Sequence, residues 1–202
     1  PFMLLDSGAN ADCRPEMLLQ FALLGSLYME HVVCPGETPT VGLLNIGTED
    51  SKGGELQKAA FPLLRDSGLC FVGNVEARDV PYGKAKVIVA DGFSGNVLLK
   101  TMEGTASMLL HTVKGLFMTN LRTKIAGLLV KPYLSGLKKR MDTSEYGGAP
   151  VLGVARPVIK AHGNSDARAI RSAIRVAAEY AASGAVDRMA EAIARAAASA
   201  EE

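Results

Sequence analysis

Polar side chains follow four short apolar runs of the sequence, and in each run Asp or Asn has Gly close by. The four segments are FMLLDSGAN (2–10), VGLLNIGTED (41–50), LCFVGNVEARD (69–79) and VIVADGFSGN (87–96). Three of them carry several charged or amide side chains, which is what a site for a polar substrate requires. Asp and Asn beside Gly also form turns and cap helices, so a structural interpretation stays open for any single segment.

A fifth polar segment, VIKAHGNSDARAI (158–170), contains a second group of candidates. Lys160 and His162 lie just before a predicted helix, for which we expect Ser165 as N-cap and Asp166 in the first turn. Exposed N–H groups at a helix start, beside a cation and an imidazole, could bind an anion. A capped helix with a solvated Lys and a hydrogen-bonded His explains the pattern equally well.

The elements that must position these groups alternate along the chain. Apolar runs of four or five residues bounded by turn residues predict strands buried on both faces. Helical patterns lie near 15–31, 54–67 and 94–118, and a helix that ends at Gly184 precedes an Ala-rich helix near 185–199. This alternation predicts an α/β fold with a largely parallel sheet. Because ligands bind beyond the carboxyl ends of such strands, the four loops together predict a site.

The stretch from Gly104 to Met141 differs in kind, since it has no acidic residue and seven basic ones. Aliphatic residues are interleaved, and we expect Pro132 with Gly127, Ser135 and Gly136 to break it into at least two helices. The pattern is typical of a basic amphipathic helical hairpin that meets an anionic membrane or an acidic protein; an arm buried against a second copy is the alternative. We expect an apolar tip at 125–130, and the contact candidates are Arg122, Lys124, Ile125, Leu128, Leu129 and Lys131.

Composition narrows the function further. Of 202 residues 48% are hydrophobic, and the net charge of +1 gives no chain-wide field for nucleic acid. Three cysteines without a CxxC pair favour a reduced, cytoplasmic setting over a disulfide framework or a metal site. No apolar run reaches the roughly 18 residues of a spanning helix, and no signal peptide is evident. The chain opens on PFMLL, within a predicted strand and without an initiator Met, so we expect a fragment whose N-terminal portion lies elsewhere.

Six motifs taken in order closely resemble one family. LLDSGANADCRPE, VGLLNIGTEDSKGGEL, FVGNVEARD, VADGFSGNVLLKTMEG, YGGAP and VIKAHGNSDARA are similar to the acyl-ACP:phosphate acyltransferases of bacterial phospholipid synthesis. The resemblance implies a three-layer α/β/α fold like that of phosphotransacetylases and of isocitrate and isopropylmalate dehydrogenases, with a protruding helical hairpin. It also implies that further site loops lie in an N-terminal portion absent from this chain.

The same resemblance implies an activity and partners. A long-chain acyl group would pass from acyl carrier protein to inorganic phosphate without a cofactor, and a membrane-bound glycerol-3-phosphate acyltransferase would receive the acyl phosphate. A cytoplasmic homodimer associated peripherally with the inner face of the cell membrane is expected.

The implied reaction is attack by a phosphate oxygen on a thioester carbonyl, which needs an anion site, donors for the oxyanion and positive charge near the departing thiolate. On this basis Lys52 is the predicted phosphate or oxyanion cation, Asn96 an amide donor, and His162 a proton acceptor or anion donor. Glu76 and Asp91 could instead orient these cations. The predicted substrate- and phosphate-binding residues are Asn45, Gly47, Glu49, Gly53, Asn74, Glu76, Asp91, Gly92, Gly95, Lys160, Gly163 and Ser165.

Three alternatives remain at this stage. A phosphotransacetylase or phosphotransbutyrylase would use coenzyme A thioesters with the same chemistry. A decarboxylating dehydrogenase of related fold needs a cluster of Asp residues and a nucleotide site, and neither is evident. A non-catalytic binding module would keep the dimer arm and the membrane hairpin but lack half of the active site.

Overall fold

A computed structural model describes residues 2–141, 147–163 and 165–198 of the chain. The side chains of Lys138, Lys139 and Arg140, which contribute to the basic stretch, lie outside the described part. Tyr146 and Asn164, each within a motif used above, lie outside it as well.

Four parallel strands form the main sheet. They are β1 (Met3–Leu5), β2 (Val41–Asn45), β3 (Phe71–Glu76) and β4 (Val87–Val89), in the order β1-β4-β2-β3. Every pairing between neighbours is parallel, so all four strands end at the same edge. The prediction of a mostly parallel sheet is confirmed.

Helices cover both faces of this sheet. On one face α1 (Pro15–Tyr28) and α2 (Glu55–Arg65) bury Leu18 and Leu64 against strand residues that include Leu43. On the other face Leu98 of α3 (Gly92–Phe117) packs with Ile88. Successive strand residues point to opposite faces, which is why β4 contributes to both cores. The predicted three-layer α/β/α arrangement is confirmed.

A second, two-stranded sheet follows in the chain. Its antiparallel strands are β5 (Ala149–Val151) and β6 (Val158–Lys160), and α5 (Ala167–Ala182) and α6 (Ala185–Ala198) come after them. Tyr180 of α5 meets Tyr28 of α1 edge to face, with ring centroids 5.1 Å apart. Burial, and then the neighbouring Tyr180, raise the pKa of Tyr28 to about 12. These rings join the C-terminal helices to α1.

The predicted cap of α5 is wrong by one residue. The side chain of Asp166 accepts a hydrogen bond from the backbone N–H of Ala169 (2.8 Å), and α5 begins at Ala167. Asp166 is therefore the N-cap, and Ser165 lies one position before it, because the carboxylate reaches the free N–H groups of the first turn. Gly184, with a φ of +68°, separates α5 from α6 as expected.

The helical hairpin consists of α3 and α4 (Leu121–Met141), and its predicted break points are wrong. The chain turns at 118–120, while Gly127 and Pro132 lie inside α4. Asn120 and Thr123 set the turn, since each side chain accepts a hydrogen bond from the other's backbone N–H (3.0 Å in both cases). Ile125–Val130 is therefore not a tip but the second and third turns of α4.

Large apolar side chains of the hairpin are exposed. Five of those on α4 share one side of the helix, since they are spaced three or four residues apart: Leu121, Ile125, Leu128, Leu129 and Tyr133. Val130 is exposed as well, outside this row. Among the described residues, no helix is long and apolar enough to cross a membrane.

Candidate active site

The loop that follows β2, residues 46–53, is anchored to the sheet by two buried amides. Nδ2 of Asn45 donates to the carbonyl oxygen of Lys52 (3.1 Å) and to Oδ1 of Asn74 (3.0 Å). Oδ1 of Asn45 accepts from the N–H of Ile46 (2.8 Å), and Nδ2 of Asn74 donates to the carbonyl oxygen of Glu49 (2.8 Å). The loop is thus fixed at its start, middle and end.

A β-bulge places the two amides on one face of the sheet. Val41 pairs with Phe71, but Leu43 pairs with Asn74, so β3 holds one extra residue between the two pairings. The irregularity includes Gly73, whose φ of +88° is a backbone conformation that glycine adopts readily and other residues rarely. A shift of one residue reverses the facing of every later side chain. With the bulge, Asn74 shares the face of Leu43 and therefore of Asn45.

Two charged residues of the loop, Glu49 and Lys52, have side chains close together over Gly47. A Cβ added at Gly47 would lie 2.9 Å from Oε2 of Glu49 and 3.0 Å from Cγ of Lys52. Both charged residues are exposed, whereas Gly47 is buried. At the end of the loop Gly53 has a φ of +95°, and a Cβ there would lie 2.7 Å from Oδ1 of Asn45. The two glycines leave room for the Lys52 stem and for the amide of Asn45.

A second anchored loop follows β1 and centres on Asp6, which the sequence analysis did not name as a candidate. Its carboxylate accepts from the N–H groups of Gly8 (2.8 Å), Ala9 (2.9 Å) and Asn10 (2.7 Å), and from Nδ2 of Asn10 (2.8 Å). Burial alone would raise the pKa of Asp6, but these hydrogen bonds outweigh it, and the pKa lies below its usual value. The signal was the Asp-Ser-Gly sequence directly after a buried strand.

This Asp6 loop packs on the first turn of α3. The N–H of Gly92 donates to the carbonyl oxygen of Asn10 (2.8 Å), and Asp91 caps the helix by accepting from the N–H of Ser94 (2.8 Å). A Cβ at Gly95 would collide with the carbonyl oxygen of Asp6. These contacts give Gly92, Gly95 and Asp91 structural roles. A role for them in binding phosphate stays a prediction.

Asn96 lies exposed at the same junction. Its Cγ is 3.4 Å from the position that a Cβ on Gly8 would occupy, so its amide borders the Asp6 loop. Glu76, at the end of β3, accepts an ion-pair hydrogen bond from Arg78 (2.7 Å). The cation that Glu76 orients in this structure is therefore Arg78.

An open, mainly apolar cleft of about 490 Å³ lies between the loop after β2, the start of α2 and the first half of α3. Asn45 lies at its polar end, and Phe93 and Val97 of α3 are two of its walls. The remaining lining residues are Leu44, Ile46, Gly53, Gly54, Gln57, Ala77, Ser94, Leu98 and Thr101. The cleft thus begins at the anchored loop and extends along α3.

The remaining predicted residues lie on strand β6 of the second sheet or just after it. Lys160 pairs with Ala149 in the β5–β6 ladder, and the carbonyl oxygen of His162 accepts from the N–H of Ser165 (3.0 Å). Gly163 lies in the turn between them. The structure therefore places these four residues on strand β6 and in the segment that follows it, whereas Asn45 ends β2 and Asn96 lies in α3. Their role at a shared site stays a prediction.

Within the described ranges, no three residues among His, Cys, Asp and Glu group closely enough to hold a metal ion. The three cysteines, Cys13, Cys34 and Cys70, are free thiols.

Comparison with known proteins gives consistent matches. The family described as "Fatty acid synthesis protein" matches residues 1–188. A phosphate acyltransferase of Oceanobacillus iheyensis is 56% identical over 176 residues, which cover 87% of this chain and 53% of that protein. One of Geobacillus thermodenitrificans is 55% identical over 181 residues, covering 90% and 55%, and one of Clostridium novyi is 50% identical over 189 residues, covering 94% and 57%. The chain spans about half the length of these curated relatives.

Proposed function

The chain belongs to the fatty acid synthesis protein family, and from this premise we propose that it forms part of an enzyme that transfers an acyl group to inorganic phosphate. The observation that carries the proposal is the identity of 50–56% to proteins named phosphate acyltransferase over most of the chain. The anchored loops at the carboxyl edge of the sheet support it, because this edge is where such folds bind ligands.

In the proposed reaction a phosphate oxygen attacks the carbonyl carbon of an acyl thioester. A C–O bond forms, the carbonyl oxygen carries the negative charge in the tetrahedral intermediate, and the C–S bond then breaks. The thiolate leaves and takes up a proton. Since phosphate is itself the nucleophile, the enzyme contributes positioning and electrostatic stabilisation rather than a covalent intermediate.

Lys52 is the proposed cation for phosphate or for the oxyanion. Its support is geometric: the side chain is exposed, and the loop that bears it is tied to Asn45 and Asn74. A fixed charge costs little reorganisation when negative charge develops. Glu49, beside Lys52, would orient the ammonium group.

Asn96 and His162 are the proposed partners of Lys52. The exposed amide of Asn96, one turn into α3, can donate a hydrogen bond to phosphate or to the thioester oxygen. His162 would take or supply the proton, because an imidazole nitrogen can accept or donate one. Lys160, Gly163 and Ser165, which lie near His162 in the sequence, would contribute with it to phosphate binding.

The proposed acyl donor is acyl carrier protein, with coenzyme A thioesters as the alternative. Between residues 104 and 141 the described hairpin carries Lys114, Arg122, Lys124 and Lys131 and no acidic residue. Such a surface favours the approach of an acidic protein. It also suits an anionic membrane, and the exposed apolar side of α4 supports a peripheral contact through Ile125, Leu128 and Leu129. A membrane-bound glycerol-3-phosphate acyltransferase as acceptor of the product, and a homodimer, complete the proposal.

The test is an assay of acyl phosphate formation with this chain and the remaining part of the relatives' length. Palmitoyl-acyl carrier protein and palmitoyl-coenzyme A are compared as donors at equal concentration, with labelled phosphate as acceptor. Preference for the carrier protein by tenfold or more in kcat/KM is expected. Equal or greater use of coenzyme A would move the assignment to a phosphotransacetylase-like activity, and no product with either donor would contradict the proposal.

A further inference from the structure

We propose that Asn45 and Asn74 are positioning residues, which form a buried amide clamp that holds Lys52 in place and do not themselves contact phosphate. The role of Lys52 rests on the proposed function, whereas the clamp itself rests on contacts within the chain. Only 9% of Asn45 and 3% of Asn74 is exposed. Sequence analysis had placed both among the phosphate-binding candidates.

The hydrogen-bonding groups of Asn45 are already committed. A side-chain amide has two N–H donors, and Nδ2 of Asn45 uses one toward the carbonyl oxygen of Lys52 (3.1 Å) and one toward Oδ1 of Asn74 (3.0 Å). No donor remains for an anion. The amide therefore serves the loop and not a ligand.

Asn74 controls the turn that bears Lys52. The carbonyl oxygen of Glu49 accepts from the N–H of Lys52 (3.0 Å), which closes a turn over residues 49–52. The same oxygen accepts from Nδ2 of Asn74 (2.8 Å). Asn74 thus ties this turn directly to strand β3. Loss of the bond frees the turn to move, and misplacement of a reacting group by about 1 Å can cost a hundredfold in rate.

Two glycines make the clamp possible. The bulge that includes Gly73 turns Asn74 to the same face as Asn45. Gly53 leaves the space that the amide of Asn45 occupies, since a Cβ there would lie 2.7 Å from Oδ1 and 2.9 Å from Nδ2. The clamp consequently involves both strands and the loop 46–53, and not a single hydrogen bond.

The first experiment does not depend on catalysis. Hydrogen–deuterium exchange is measured on the complete protein for wild type, Asn74→Asp, Asn74→Ala and the control Gln20→Glu, which makes the same amide-to-acid change on the exposed surface of α1. Asn74→Asp keeps an oxygen that accepts from Asn45, but it replaces the amide donor by a carboxylate oxygen that faces the carbonyl oxygen of Glu49. We expect at least tenfold faster exchange across residues 46–54 in both Asn74 variants. In the Gln20→Glu control the exchange rate should equal that of wild type. If the Asn74 variants keep the native circular dichroism spectrum and still exchange at the wild-type rate across residues 46–54, the clamp is overturned.

The second experiment asks whether Asn74 acts through Lys52. In a double-mutant cycle, Asn74→Asp is expected to lower kcat/KM for phosphate about tenfold in the wild-type background and less than twofold in a Lys52→Gln background. KM for the acyl donor should change less than twofold. Equal effects of Asn74→Asp in both backgrounds would overturn the positioning role. Wild-type protein without acyl phosphate synthesis would count against the proposed function, and the exchange data would still decide the clamp.

Discussion

Replacement of Asp6 by Asn should destabilise the fold because the carboxylate accepts four hydrogen bonds in a site that is 4% exposed. The amide oxygen of the variant can still accept from Gly8 and Ala9. Its NH₂ group would instead face the two donors of Asn10. Each donor left without an acceptor costs about 1–3 kcal/mol, and since Asn10 is exposed water offsets part of this. We expect a loss of about 3 kcal/mol in the free energy of unfolding.

The pH dependence gives a second signature of the same contacts. The pKa of Asp6 is lowered in the folded state, so its contribution is fully present above the unfolded value of 3.8 and is lost as the pH falls through the lower folded value. The difference in stability between wild type and Asp6→Asn should be constant between pH 7 and 5 and shrink below pH 3.8.

Thermal unfolding followed by circular dichroism measures this difference. For a chain of this size, about 3 kcal/mol corresponds to a Tm lower by roughly 6–12 °C. Asp66→Asn is the matched control, because Asp66 is exposed and pairs with the exposed Arg65, and it should leave Tm unchanged. Equal shifts in the two variants, or a difference independent of pH down to pH 2, would refute the reasoning.

Three further predictions follow from single positions. Gly95→Ala should lower the free energy of unfolding by about 1–3 kcal/mol through the collision with Asp6. Gly104→Ala, in the open middle of the same helix, should raise it by up to about 1 kcal/mol. Equal denaturant midpoints for the two variants would contradict this. Gly73→Ala should cost about 1–2 kcal/mol in urea unfolding from its φ of +88° alone, since open space surrounds it, and an unchanged midpoint would refute the bulge. Leu128→Asp should abolish flotation with anionic liposomes while the equally exposed Ile174→Asp on α5 does not; unchanged flotation of Leu128→Asp would exclude α4 as the contact.

The layered fold follows from short-range patterns in the sequence. Buried runs such as VIVA, bounded by turn residues and separated by helical periodicity, predict a parallel sheet, and all four strands formed where these runs lie. The carboxyl-edge location of the Asp6, Asn45 and Asn96 loops follows from that topology alone.

The remaining details depend on contacts distant in sequence. The prediction that Pro132 breaks the hairpin was wrong. The chain turns at 118–120 instead, where Asn120 and Thr123 exchange hydrogen bonds and Thr119 Oγ1 donates to the carbonyl oxygen of Leu116 (3.0 Å). Gly inside FVGNVE signalled a bulge, but its consequence for Asn74 requires the register with β2. The placement of Lys160 on a second sheet, with His162 just after it, could not be predicted from the sequence VIK. A run of three residues does not specify its partner strand.

We infer that the anchored Lys52 loop serves acyl transfer to phosphate. The most direct test follows labelled inorganic phosphate into palmitoyl phosphate, with palmitoyl-acyl carrier protein as donor, for wild-type protein at the relatives' full length and for its Lys52→Ala variant. We predict product formation by wild type and a loss of at least a hundredfold in kcat/KM for phosphate in the variant, about 2.7 kcal/mol of transition-state stabilisation. Equal rates in both proteins would contradict the proposed role of Lys52.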